Sequence, residues 1–111
     1  MRHAESIPDE WVARLIEWAR THDRIERLFI FGSRARGDNK PDSDLDVAIL
    51  LSGNDPSEVL AYGICMAKRW REEVHELLPV PIHLQFADPE HDEIVHPAIL
   101  KDGRLIFSRD C

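Results

Sequence analysis

The chain has 111 residues, 43% of them hydrophobic and 32% charged, so one domain has enough apolar material for a core and the composition of a disordered chain is excluded. Fourteen Lys and Arg against twenty-one Asp and Glu leave a formal charge of -7, which excludes broad binding to nucleic-acid backbones or anionic membranes unless basic residues cluster locally. The longest apolar run, Val47 to Leu51, is far short of the roughly 20 residues that cross a bilayer. The stretch from Met1 to Glu10 is polar and acidic, without the apolar centre of a secretory leader, so a cytoplasmic address is the default. Cys65 and Cys111 are then expected as free thiols.

Ile7, Trp11, Leu15 and Trp18 recur at helical spacing, which predicts an amphipathic helix over 8–21 opened by Pro8. Leu28 to Phe31, ended by Gly32, and Leu45 to Leu51, ended by Ser52 and Gly53, read as buried strands. Asp55 as N-cap and Pro56 announce a long helix whose apolar residues Leu60, Ile64, Ala67, Trp70, Val74 and Leu77 run until Pro79 and Pro81. Ile82, Leu84 and Phe86 alternate with His83 and Gln85, as in a strand over 80–86 with one buried and one polar face. A short helix over 90–101, with Ile94, Ile99 and Leu100 inward, and a last strand over 105–107 follow Pro89. The order predicts one α/β (α+β) domain over 1–111: a small mixed β-sheet with helices packed against it.

Two segments carry chemistry. A strand leads into Gly32-Ser33-Arg34-Ala35-Arg36-Gly37, where Gly permits close approach and the Ser hydroxyl and first-turn amides can hold a phosphate beside two arginines. Taken alone, this is equally a helix cap with surface arginines. Ser43-Asp44-Leu45-Asp46 opens the next strand, and the period of two sets both carboxylates on one face, where a hard cation such as Mg²⁺ would relieve their repulsion. Alone, this is equally a solvated turn. Together, on consecutive strands, a phosphate cradle and a carboxylate pair are what phosphoryl or nucleotidyl transfer requires.

These residues, Gly32-Ser33 with Arg34, Arg36 and Gly37, then Ser43-Asp44-Leu45-Asp46 entering an apolar strand, resemble the signature of the DNA polymerase beta-like nucleotidyltransferase superfamily, and the length matches its minimal nucleotidyltransferase branch. The resemblance implies that Gly32 and Ser33 bind the triphosphate of ATP or another nucleoside triphosphate, with Arg34, Arg36 and Ser43 beside it. It also implies that Asp44 and Asp46 hold two Mg²⁺ ions. Active members usually carry a third carboxylate on the neighbouring strand; here that strand reads Pro81-Ile82-His83-Leu84-Gln85-Phe86. The nearest acid, Asp88, lies beyond it, so His83 is expected in the carboxylate's place, as a base or ligand near neutral pH. The branch further implies a small helical partner of the HEPN type, toxin to this antitoxin, modified by AMP on a tyrosine hydroxyl. His83 keeps a second reading open, a catalytically impaired module that neutralises its partner by contact.

Weaker constellations have plainer readings. His91, Glu93 and His96 miss the spacing of a zinc helix, since the histidines are five apart and one helix face needs four. Lys68, Arg69 and Arg71 read as a solvated face. Trp11, Trp18 and Trp70 are expected in core packing or a helix-mediated contact in a homo-oligomer.

Overall fold

The computed structural model describes residues 7–37, 40, 43–87 and 95–109. Helix α1 (Asp9–Arg20) is followed by strand β1 (Ile25–Phe31), a four-residue helix α2 (Ser33–Arg36) and strand β2 (Leu45–Leu51). The long helix α3 (Pro56–His75), strand β3 (Ile82–Phe86), helix α4 (Val95–Asp102) and strand β4 (Arg104–Ser108) complete the chain order. The four strands form one mixed sheet in the order β3-β2-β1-β4. β1 is antiparallel to both β2 and β4, while β2 and β3 are parallel, with α3 as the long crossover that a parallel pair requires.

Local chemistry accounts for the helix ends. Pro8 stands at the N-cap of α1, with Asp9 and Glu10 in its first turn and Arg20 in its last, each charge placed to favour the helix dipole. At α3 the Asp55 side chain accepts from the Ser57 N–H at 3.0 Å, with Pro56 just inside, satisfying one of the open amides of the first turn. β1 begins at Ile25, three residues before the expected start at Leu28, because a central strand paired on both sides continues its ladder through the polar Arg27, opposite Leu50 and Ser108.

The sheet has two unlike faces. Ile25, Leu28, Ile30, Leu45, Val47, Ile49 and Leu84 pack with Leu15 and Trp18 of α1 and Trp70 and Val74 of α3 in the main core. All three tryptophans belong to this side, Trp11 partly buried against it. The two helices are also tied by a polar contact: Trp18 Nε1 donates to Glu73 Oε1 at 2.8 Å, and His22 Nε2 stands 3.1 Å from the same oxygen. The opposite face carries a smaller cluster, Phe31, Ala48 and Ile99 with Phe29 and Ala87 beside them.

Three apolar residues expected inward are not. Leu60 and Ile64 are 65% and 69% exposed, and Leu100 is 74% exposed. On α3 the core face runs through Gly63, Trp70 and Val74, and a residue one position along a helix is turned about 100° away, so Ile64 falls off that face. In the two turns of α4 the same rotation lets Ile99 face the sheet and turns Leu100 out. Asp88, His91, Glu93, Ile94 and Cys111 lie outside the described residues, as does the side chain of His96. Cys65 is an exposed free thiol.

Candidate active site

The site is built where β1 turns into α2 and β2 begins. Gly32 leaves β1 at φ 82°, ψ -160°, a conformation essentially reserved for glycine. A Cβ there would overlap Asp46 Oδ2 and stand 3.0 Å from Asp46 Cγ. Gly32 is therefore required twice, by its backbone angles and by the carboxylate packed against it. α2 ends after one turn because Gly37 takes the left-handed conformation, φ 85°, and its N–H bonds the Ser33 carbonyl at 2.9 Å.

Asp46 pairs in register with Phe31 on one side and His83 on the other. Its side chain is 23% exposed and that of His83 57%, with His83 Nδ1 at 3.3 Å from Asp46 Oδ1. Gln85, two residues along β3 on the same face, places its amide nitrogen 3.2 and 3.1 Å from the two ring nitrogens of His83. The polar face expected of this strand thus lies beside the carboxylate. Burial raises the Asp46 pKa above the ordinary carboxylate value; the hydrogen bond and charge of His83 oppose that, the charge of Asp44 adds to it, and Arg36 opposes it, with the net effect upward. Asp44 is exposed just before β2.

The two arginines of α2 part ways. Arg36 is exposed, and its charge acts on Asp46. Arg34 is 4% exposed, with its Nε donating to the Ser43 carbonyl at 3.0 Å and its guanidinium carbon 5.3 Å from the centre of the Trp11 ring. Its guanidinium faces protein groups, where the sequence suggested a phosphate contact. Ser43 is likewise engaged in its own turn: its N–H bonds the Lys40 carbonyl at 3.0 Å, and its hydroxyl accepts from the Lys40 N–H at 2.8 Å.

The donor set fits a hard cation. Asp46 offers desolvated carboxylate oxygens beside a second carboxylate, the arrangement that Mg²⁺ favours when substrate phosphates complete its shell. Among the described residues no three His, Cys, Asp or Glu side chains form a ready metal cluster. A concavity of about 650 Å³ lies elsewhere, against α3 and the C-terminal ends of β2 and β3, with Leu51, Gly63, Ile64 and Phe86 among its walls and no carboxylate among its lining residues. Among the described residues no helix is long and apolar enough to cross a membrane.

A mixed four-stranded sheet with a Gly-Ser turn after its first strand and a carboxylate pair opening the second is the architecture of a nucleotidyltransferase domain. The sequence profile described as Polymerase beta, Nucleotidyltransferase matches residues 13–111, and the chain belongs to that family. No curated protein sequence matches it. Its fold is similar to a toxin–antitoxin crystal structure with AMP-PNP, at a TM-score of 0.67 and 14% identity over 87% of this chain and 73% of that one. It is also similar to a chain from the complex of tri-AMPylated Shewanella oneidensis HEPN toxin with MNT antitoxin, at 0.61 and 12% identity over 90% and 71%. A Sulfolobus solfataricus protein described as a nucleotidyltransferase matches at 0.58 and 24% identity over 99% and 90%.

Proposed function

We propose that this protein transfers AMP from Mg-ATP to a hydroxyl on a small helical partner protein of the HEPN type, the two forming an antitoxin–toxin pair. The observation that carries the reading is the packing of the Gly32 backbone against Asp46, which supports a single site formed by the Gly-Ser turn and that carboxylate. The family membership and the toxin–antitoxin complexes that share the fold support the partner. Ser33 and the opening of α2 would hold the triphosphate, with Arg36 offsetting its charge. Asp44 and Asp46 would hold Mg²⁺, which when bound polarises the acceptor oxygen and neutralises the leaving pyrophosphate.

The partner's hydroxyl oxygen forms a bond to the α-phosphorus, the bond from that phosphorus to the bridging oxygen breaks, and pyrophosphate departs. The hydroxyl proton goes to His83. With its Nδ1–H donating to Asp46, the ring presents Nε2 as the acceptor, and the hydroxyl displaces the Gln85 amide now beside it. A test uses a small helical protein of the HEPN type as acceptor, with labelled ATP and Mg²⁺: label should appear on that protein and vanish with Asp44→Asn. A tight complex with no label transfer would sink the enzyme reading. It would leave the second one, a module that neutralises by contact, which the exposed His83 in place of an acid favours. Gain of transfer in His83→Asp would identify a decayed third position, and loss in His83→Ala a working base.

A further inference from the structure

Arg34 is the one buried charged side chain among the described residues. Taking a guanidinium out of water costs several kcal/mol unless hydrogen bonds and packing compensate, so its contacts define what the position does. It stands on α2, two residues after Gly32, and reaches across to the Ser43 carbonyl at 3.0 Å while lying against the Trp11 ring of α1. That carbonyl belongs to a turn closed from both directions by Lys40 and Ser43. The next residue is Asp44, and β2 begins one residue later. Among the described contacts, Gly32, the N-cap of α2, meets the carboxylate segment at Asp46, and Arg34 of α2 meets it at the peptide preceding Asp44.

We infer that Arg34 is a positioning residue: it fixes the backbone from which Asp44 projects, and so the spacing of the carboxylate pair, instead of binding phosphate. The inference rests on the reading of Asp44 and Asp46 as ligands of a divalent cation. Lysine cannot take over the role, because an ammonium lacks the planar fork that bonds a carbonyl while its charge lies over an indole ring.

The test is nucleotide-free Mn²⁺ binding, followed by the electron paramagnetic resonance signal of the free ion. Coulomb's law sets the opposite expectation for a charge-only role: removing a cation near two carboxylates should tighten Mn²⁺ binding. Positioning predicts that both Arg34→Gln and Arg34→Lys weaken it, by about tenfold or more. Arg36→Gln, from the exposed arginine of the same turn, should not weaken it. Near-UV circular dichroism checks that each variant is folded, and Arg34→Lys, which keeps bulk and charge, carries the test if Arg34→Gln does not fold. Folded Arg34 variants that bind Mn²⁺ like the parent but lose affinity for ATP would overturn the inference in favour of a phosphate contact, and equal weakening in Arg36→Gln would overturn it as well. If Asp46→Asn also binds Mn²⁺ like the parent, the metal-site reading itself fails, a result distinguishable from failure at Arg34 alone.

Discussion

Gly32→Ala is a substitution to which the structure assigns a large cost for a small chemical change. An alanine would have to keep φ 82°, ψ -160°, in a region essentially closed to side chains, at about 1–3 kcal/mol. It would also drive its methyl group into the Asp46 carboxylate. β2 is hydrogen-bonded to a strand on each side at Asp46, so the side chain has to move instead of the backbone, breaking its contact with His83. The two effects together come to about 3 kcal/mol, which for a domain of this size lowers Tm by about 10–15 °C. Urea and thermal denaturation measure both quantities directly. A double-mutant cycle separates the causes: Asp46→Ala removes the carboxylate but leaves Cβ at the tight but tolerable 3.3 Å from the new methyl. The pair should then be coupled by about 1 kcal/mol or more, while the backbone penalty persists. A Gly32→Ala protein within about 0.5 kcal/mol of the parent, inside the range of an ordinary surface substitution, would refute the argument, and additive effects would refute its steric half.

Gly63→Ala should act in the opposite sense. The position is interior to α3, an added Cβ would meet Leu51 and Phe86 at an ordinary 3.5 Å, and the gain in helix propensity is about 0.5–1 kcal/mol by urea denaturation. Glu73 has its pKa lowered: desolvation pushes it up, but the Trp18, His22 and Arg69 contacts together outweigh that. Its contribution is therefore present above the ordinary carboxylate pKa and lost as pH falls through the depressed one, so Glu73→Gln should be less stable than the parent at about pH 7 and converge with it as the pH falls through that depressed value. Asp46 has the reverse sign, since a raised pKa means that its stability contribution declines as pH rises from the ordinary carboxylate range through the raised value. In chelator at about pH 7, Asp46→Asn should melt above the parent, and excess Mg²⁺ should stabilise the parent alone. A variant that melts lower in chelator would contradict the burial argument.

The sheet and the order of its elements were legible because the strands are short runs between turn residues, largely apolar in β2 and alternating in β3, and the long α3 carries both its N-cap and its stops in sequence. The pairing of Gly32 with Asp46 was legible only as two weak motifs. Their contact is a property of β1–β2 register, which no local pattern encodes. His83 shows the same limit: alternation in β3 marks a polar face, but that this face stands next to Asp46 follows from parallel pairing with β2. The burial of Arg34 was not legible for a different reason. A four-residue helix between two glycines has no hydrophobic period, so nothing in Ser33-Arg34-Ala35-Arg36 tells which arginine turns inward. Leu60 and Ile64 fit the helical period of α3 but miss the core because a long helix on a small sheet presents more apolar circumference than the sheet covers.

The formal charge of -7 argues against a polyanionic ligand, but the local balance around Asp46 argues differently. Its carboxylate is desolvated and faces a second acid, and His83 and Arg36 do not bring its pKa down to the ordinary value. Such a group is stabilised by additional positive charge, and a divalent cation supplies two units where a proton supplies one. On the proposed reading, the nucleotide arrives with that cation, so the acids that would repel a bare triphosphate become the groups that retain its metal complex. The same balance explains the use of a buried arginine nearby. On that reading Arg34 lends its hydrogen-bonding geometry to the turn before Asp44, while the charge of the exposed Arg36, which acts on Asp46, would also act on the phosphates. On the proposed reading, one positive side chain shapes the carboxylate pair and the other offsets the ligand, a division of labour between two arginines a single residue apart.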